Sequence, residues 1–119
     1  MHLLECLVHA ADISNPCKPR PIMLQWTNRV VQEFWAQGDE EMRLGVEVSP
    51  MCDRASGTLA VPKGQLGFID FVIMPFFTPI AALIPEAKAA KDALEDNRAF
   101  WKSMEEKQAS ISQIFGEGA

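Results

Sequence analysis

The 119-residue sequence predicts an all-α fold. Apolar residues recur every third or fourth position in several segments, and no segment alternates with a period of two for long enough to make a strand. Proline and glycine punctuate the helical runs.

The first helix is expected over residues 3–11, where Leu3, Leu4, Leu7, Val8 and Ala11 share helical spacing. It delivers His9 and Asp12 to its end and breaks at Asn15-Pro16. The following "SNPCKPRP" (14–21) carries three prolines and predicts a rigid connector. A second helix is expected over residues 22–37, with a stripe of Trp26, Val30 and Phe34 flanked by Met23, Thr27 and Val31. Gly38 is its expected C-terminal cap, and Asp39 the cap of a short helix, "EEMRL", closed by Gly45.

Residues 46–63 hold Pro50, Gly57 and Pro62 and predict a long irregular loop, a kind usually tied to function. From residue 65 a very apolar helix is expected to reach Met74, bend at Pro75 and continue to Ile84. Pro85 then opens a last helix, with Glu86 complementing its dipole. That helix is rich in strong helix formers and is expected to be long.

Composition narrows the function classes. Hydrophobic residues make up 48% and charged residues 23%, ordinary values for one globular domain. A net charge of -5 without a Lys/Arg cluster argues against a nucleic-acid surface. Cys6, Cys17 and Cys52 lack CxxC spacing, which predicts reduced thiols and a cytoplasmic location. Residues 66–85 approach the length of a membrane span, but Asp70 and prolines 75, 79 and 85 would be costly in lipid. A buried core helix is the expectation, with no membrane span.

His9 and Asp12 lie at i and i+3, close enough to share a site. A metal needs three or more protein ligands, and the only other histidine is His2. On chemistry alone a polar pair capping a helix is the plainer reading, and the Trp26–Val30–Phe34 stripe reads as ordinary core.

The blocks "HAADISNP", "QWTNRVVQEFWAQGDEE", "SPMCDR" and "GQLGFIDF", in this order, add a further reading. With "LEDNRAFW" near the end, they resemble the C-terminal part of the class I 3′,5′-cyclic-nucleotide phosphodiesterase catalytic domain, over residues 3–104. The wording is most similar to the cyclic-AMP-specific members. The resemblance implies a helical domain whose active site uses two divalent metal ions, zinc and magnesium, to hydrolyse cyclic AMP or cyclic GMP to the 5′-monophosphate.

The resemblance also assigns residues. Asp12 matches the family's last metal-binding carboxylate, while His9 is left to ligand orientation or packing. Gln65 matches the glutamine that hydrogen-bonds the base edge, Phe68 the aromatic that stacks on the base, and Val30 the aliphatic clamp on the opposite face, continued by Phe34. Asn15 matches a polar residue assisting adenine recognition. Trp26, Thr27 and Met51 correspond to pocket lining. A purine offers two apolar faces and a donor–acceptor edge, which an apolar slot with an amide can serve. Met23 stands where the cyclic-AMP-specific relatives carry a tyrosine that holds the glutamine.

The family's upstream histidine motifs, including its general acid, have no counterpart here, so no catalytic residue is assigned. The expected picture is one partial catalytic domain, residues 1–119, inactive alone and prone to self-association through uncovered apolar faces. The alternative is a non-catalytic helical interaction or nucleotide-binding module derived from that domain.

Overall fold

The computed structural model describes residues 2–57 and 60–118. Along them run α1 (Leu3–Asp12), a 3-10 turn (Asn15–Cys17), α2 (Arg20–Arg43), a second turn (Arg54–Ser56), α3 (Ala60–Phe68), a π-helical turn (Ile69–Ile73), α4 (Met74–Leu83), a third turn (Pro85–Ala87), α5 (Lys88–Glu106) and α6 (Ile111–Phe115). The described residues contain no strand, as the apolar periodicity predicts.

α5 is the axis of the packing. It lies against α3, α4 and the Asn15–Cys17 turn, while α6 folds back onto α2. Leu94 and Trp101, one face of α5, are fully buried beside Ile69 and Ile73 of the π turn and Met23 of α2. Removing such side chains from water is the main favourable term in the fold. Between Leu94 and Trp101 sits a buried polar residue, Asn97. Its amide donates to the Pro16 carbonyl at 2.9 Å and to the Lys18 carbonyl at 2.8 Å. Neither acceptor has an intrahelical partner of regular type, so α5 supplies what the proline-rich connector cannot supply for itself.

Several boundaries differ from the sequence expectation. α2 does not stop at Gly38 but runs through it to Arg43. Gly38 is therefore no cap: it is buried mid-helix, where a Cβ would sit 1.8 Å from the Cys52 carbonyl oxygen. Its missing side chain lets the loop before α3 approach the helix backbone. Asp39 likewise caps nothing and pairs with Arg54, whose guanidinium lies over Trp35. Gly45, with φ +73°, does terminate a helix. The Val46 N–H bonds the Glu41 carbonyl and the Gly45 N–H bonds that of Met42, the paired pattern of a left-handed helix end.

The expected 46–63 loop is shorter, since α3 begins at Ala60; residues 58 and 59 lie outside the described residues. The apolar helix continues through Pro75 to Leu83. Its irregularity is the π turn before that proline, which widens the coil over Ile69–Ile73. Asp70 in this turn accepts two hydrogen bonds from Arg98 of α5, at 2.6 and 3.0 Å, and the guanidinium holds its carboxyl below the usual range. The expected long final helix is broken at Gln108, φ 51°, by the same terminating pattern seen at Gly45. Ser110 then caps α6 in a box with Gln113.

Ala60–Leu83 is long and apolar enough to cross a membrane by length and composition, with a mean hydropathy of 1.9 in its most apolar window. The expected buried core helix is buried along one stripe only, through Leu66, Ile69, Ile73 and Phe77, while Phe71 and Leu83 are 85% and 76% exposed. α1 likewise buries only Ala10 and leaves Leu3, Leu4 and Val8 in the open.

Two stability measurements check this packing. Gly38→Ala should lower the unfolding free energy by about 1–3 kcal/mol or more, because backbone, not a flexible side chain, blocks the new methyl. Gly67→Ala, with nothing within 4 Å of its Cβ, should be neutral or stabilise α3 by up to ~1 kcal/mol. Urea unfolding with matched m values reads both.

The second concerns Cys17. Burial pushes its thiol from 9.0 up to about 11, against an opposing pull from Lys18. The neutral thiol is the form the core accepts, so its contribution is complete below pH 9 and is lost as pH rises through 11. Between those pH values, wild type should lose about 2–3 kcal/mol more than Cys17→Ala in parallel urea titrations.

Candidate functional site

A cavity of about 560 Å³ opens where α2, α3 and the Asn15–Cys17 turn meet. Its lining includes Asn15, Thr27, Val30, Phe34, Met51, Gln65 and Phe68, brought together from four separate stretches of chain. The size suits a small organic ligand, and the walls are mainly apolar with a few amide and hydroxyl groups.

Each wall has a local cause. Val30 and Phe34 stand one turn apart on α2, so they present one apolar face. Gln65 and Phe68 stand three apart on α3 and project from a common side. Met51 reaches the cavity from the loop by adopting φ 66°, a left-handed conformation that costs an unbranched side chain about 1 kcal/mol or more. Its thioether sulfur would lie 3.4 Å from a Cβ at Gly64, so that glycine keeps room for it.

The polar end is built at Asn15. Its amide nitrogen donates to the Thr27 hydroxyl at 3.1 Å and to the Met23 carbonyl at 3.4 Å. Thr27 in turn donates its hydroxyl hydrogen to the same carbonyl at 2.8 Å, and is itself buried. The Asn15 side-chain oxygen is buried with no partner. Met23 is fully buried, with its sulfur 3.5 Å from the Thr27 hydroxyl and away from the cavity lining. Gln65 is half-buried, and no group among the described residues hydrogen-bonds its amide.

Trp26 does not join this lining. It is 47% exposed, with Arg29 and Lys18 stacked over its ring at 4.9 and 6.0 Å. The periodicity that groups Trp26 with Val30 and Phe34 is real, but of the three only Val30 and Phe34 line the cavity. Pro16, Gly64, Gly67 and Val72 complete the lining and were not singled out in the sequence. Val72 carried a usable signal, since it follows Phe68 by four on one helical stretch.

Asp12 lies apart from the cavity, at the end of α1, where it borders an open concavity with His9, Val8 and Leu4. It stands three positions before Asn15, a reach of at most ~11 Å. The His9 ring packs edge-on to Phe76 of α4, centroids 5.0 Å apart. Among the described residues no three His, Cys, Asp or Glu side chains converge to hold a metal ion. One carboxylate beside an imidazole engaged in packing does not make up a two-metal centre by itself, and no chemical step through metal ions follows from these residues alone.

The chain is 46% identical over 104 residues to the 3′,5′-cyclic-AMP phosphodiesterase 4C of Rattus norvegicus, covering 87% of this chain and 19% of the relative. It is 43% identical over 104 residues to a probable 3′,5′-cyclic-AMP phosphodiesterase of Caenorhabditis elegans, covering 87% and 15%. The solved structure of LmjPDEB1 in complex with IBMX superposes with a TM-score of 0.78 at 38% identity, over 87% of this chain and 31% of that one. The chain thus spans less than a fifth of these curated relatives. Residues 1–94 match the model of the 3′5′-cyclic nucleotide phosphodiesterase family, and the chain belongs to that family.

Proposed function

We propose that these residues form the base-binding part of a cyclic-nucleotide phosphodiesterase site, acting on cyclic AMP and less well on cyclic GMP. The observation that carries this reading is the convergence of Val30, Phe34, Gln65 and Phe68 on one cavity beside the Asn15 amide. A purine in that slot has apolar walls for its two faces and amide groups for its edge. Stacking on an aromatic ring is worth about 1–3 kcal/mol per base. The identities to two cyclic-AMP phosphodiesterases support the choice of nucleotide.

Hydrolysis belongs to a longer protein. Asp12 supplies one carboxylate to a zinc and magnesium pair whose other ligands, and whose general acid, come from outside these 119 residues. The reacting phosphate then sits toward Asp12 and the base toward Gln65, along the short Asp12–Asn15 connection. The compartment is the cytoplasm, and the apolar faces of α1 and α4 meet protein surface, in the complete domain or in a second copy.

The nucleotide preference is incomplete on this reading. A glutamine amide serves adenine or guanine by rotating half a turn, and nothing among the described residues fixes that of Gln65. The kcat/KM ratio of the complete enzyme should favour cyclic AMP without excluding cyclic GMP; a ratio favouring cyclic GMP contradicts the assignment.

Roles are separable in the complete enzyme. Asp12→Ala should lower kcat by more than about 100-fold, with activity recovering in part at high added metal. Phe68→Ala should raise KM about 10- to 100-fold with a smaller change in kcat, since the ring acts on the base and not on the phosphate. The 119-residue chain alone, supplied with zinc and magnesium, should show no turnover above background. Metal-dependent hydrolysis by that chain would show that it carries a whole active site.

A further inference from the structure

The geometry points to Glu41 as a positioning residue that holds Met51 in the wall of the cavity; this rests on the base-binding reading above. Glu41 lies in the last turn of α2, outside the cavity lining. Its carboxylate accepts from the Ser49 N–H at 2.7 Å, the Ser49 hydroxyl at 2.6 Å and the Gln37 amide at 2.9 Å. An ionised carboxylate has no hydrogen to give, so the direction of all three bonds is fixed. They hold its carboxyl below the usual range, the Ser49 N–H contributing most.

Ser49 is the first residue of a tight turn. The Cys52 N–H donates back to the Ser49 carbonyl at 3.1 Å, Pro50 follows Ser49, and Met51 has φ 66°. Proline in second place and a left-handed residue in third is the type II pattern, whose third place suits glycine. Methionine is strained there, and a strained residue persists where its surroundings over-determine it. Both ends of this turn are fixed against α2. Ser49 is clamped by Glu41, and the Cys52 carbonyl lies against Gly38, too close to admit a Cβ.

The two attachments differ in kind. Gly38 leaves room, whereas Glu41 binds, and its two bonds to Ser49 fix where the turn stands along α2. The Asp39–Arg54 pair fastens the chain beyond the turn, but both partners are about half exposed, where an ion pair holds weakly. Burial does not hold Met51 either, since it is 59% exposed. Its side chain borders the cavity from the turn, with the sulfur beside Gly64 of α3. With Ser49 released, the turn relaxes to an unstrained backbone and the thioether leaves the wall. Glu41 thus shapes the cavity without touching what it holds.

The test is a double-mutant cycle on the complete enzyme, with cyclic AMP as substrate. Glu41→Ala should raise KM about fivefold and leave kcat within about twofold, because the turn meets the base and not the phosphate. Met51→Gly, which removes the wall, should raise KM by a similar factor. The two together should raise it no further than Met51→Gly alone, since Glu41 acts through that side chain. An unchanged KM in Glu41→Ala, or effects that multiply in the double variant, overturns the proposal. So does an equal fall in kcat, the mark of a general structural defect. Met51→Gly without effect on KM would instead defeat the base-binding reading, and the proposal with it. Should Glu41→Ala fail to fold, Ser49→Ala decides: losing the hydroxyl bond alone should raise KM about two- to threefold, and Ser49→Thr should stay near wild type. No rise, or Ser49→Thr behaving like Ser49→Ala, overturns the proposal.

Discussion

The two hydrogen bonds from Asn97 to the Pro16 and Lys18 carbonyls are the constraint on which the remaining arrangement hangs. They join residues about 80 positions apart, and they do so inside the core, where an unmet amide would cost 1–3 kcal/mol or so. Everything functional at the N-terminal end follows from that anchor. It fixes the Asn15–Cys17 turn on α5, which sets where α1 ends, where α2 begins and how Asn15 meets Thr27. The apolar packing of Leu94 and Trp101 gives the anchor its dryness, and the anchor gives that packing its register.

A similar exchange holds the other side of the cavity. Helix α3 carries Gln65 and Phe68, and its continuation through the π turn is tied to α5 by Asp70 and Arg98. Both walls of the cavity are thus referred to one helix that does not itself line it. A rigid reference element behind two walls is the ordinary way a fold holds a slot open against collapse.

Much of this was legible in the residues. The helices at 3–11 and 22–37 were visible in their apolar spacing, and Asn15-Pro16 was visible as a break. What was not legible depends on contacts distant in sequence. Gly38 has the composition of a helix end, and only the approach of the Cys52 carbonyl shows why a glycine is needed mid-helix. The π turn leaves no compositional mark, since it replaces one backbone hydrogen-bonding pattern by another. Trp26 shares the period of Val30 and Phe34, yet periodicity assigns a face and not a depth along it. Asn15 and Gln65 carry no signal of their own beyond the resemblance, because an amide becomes a recognition group only through its neighbours' protons.

The loop that brings Met51 to the cavity has a consequence for how this site can drift. Its backbone angle of 66° tolerates glycine, asparagine and, at a cost, unbranched side chains. Valine, isoleucine and threonine are shut out there by sterics alone. Mutation can lengthen, shorten or remove this wall but cannot branch it near the backbone. Changes in cavity shape over generations are therefore channelled to Val30 and Phe34 on α2, where ordinary helical geometry leaves the alphabet open.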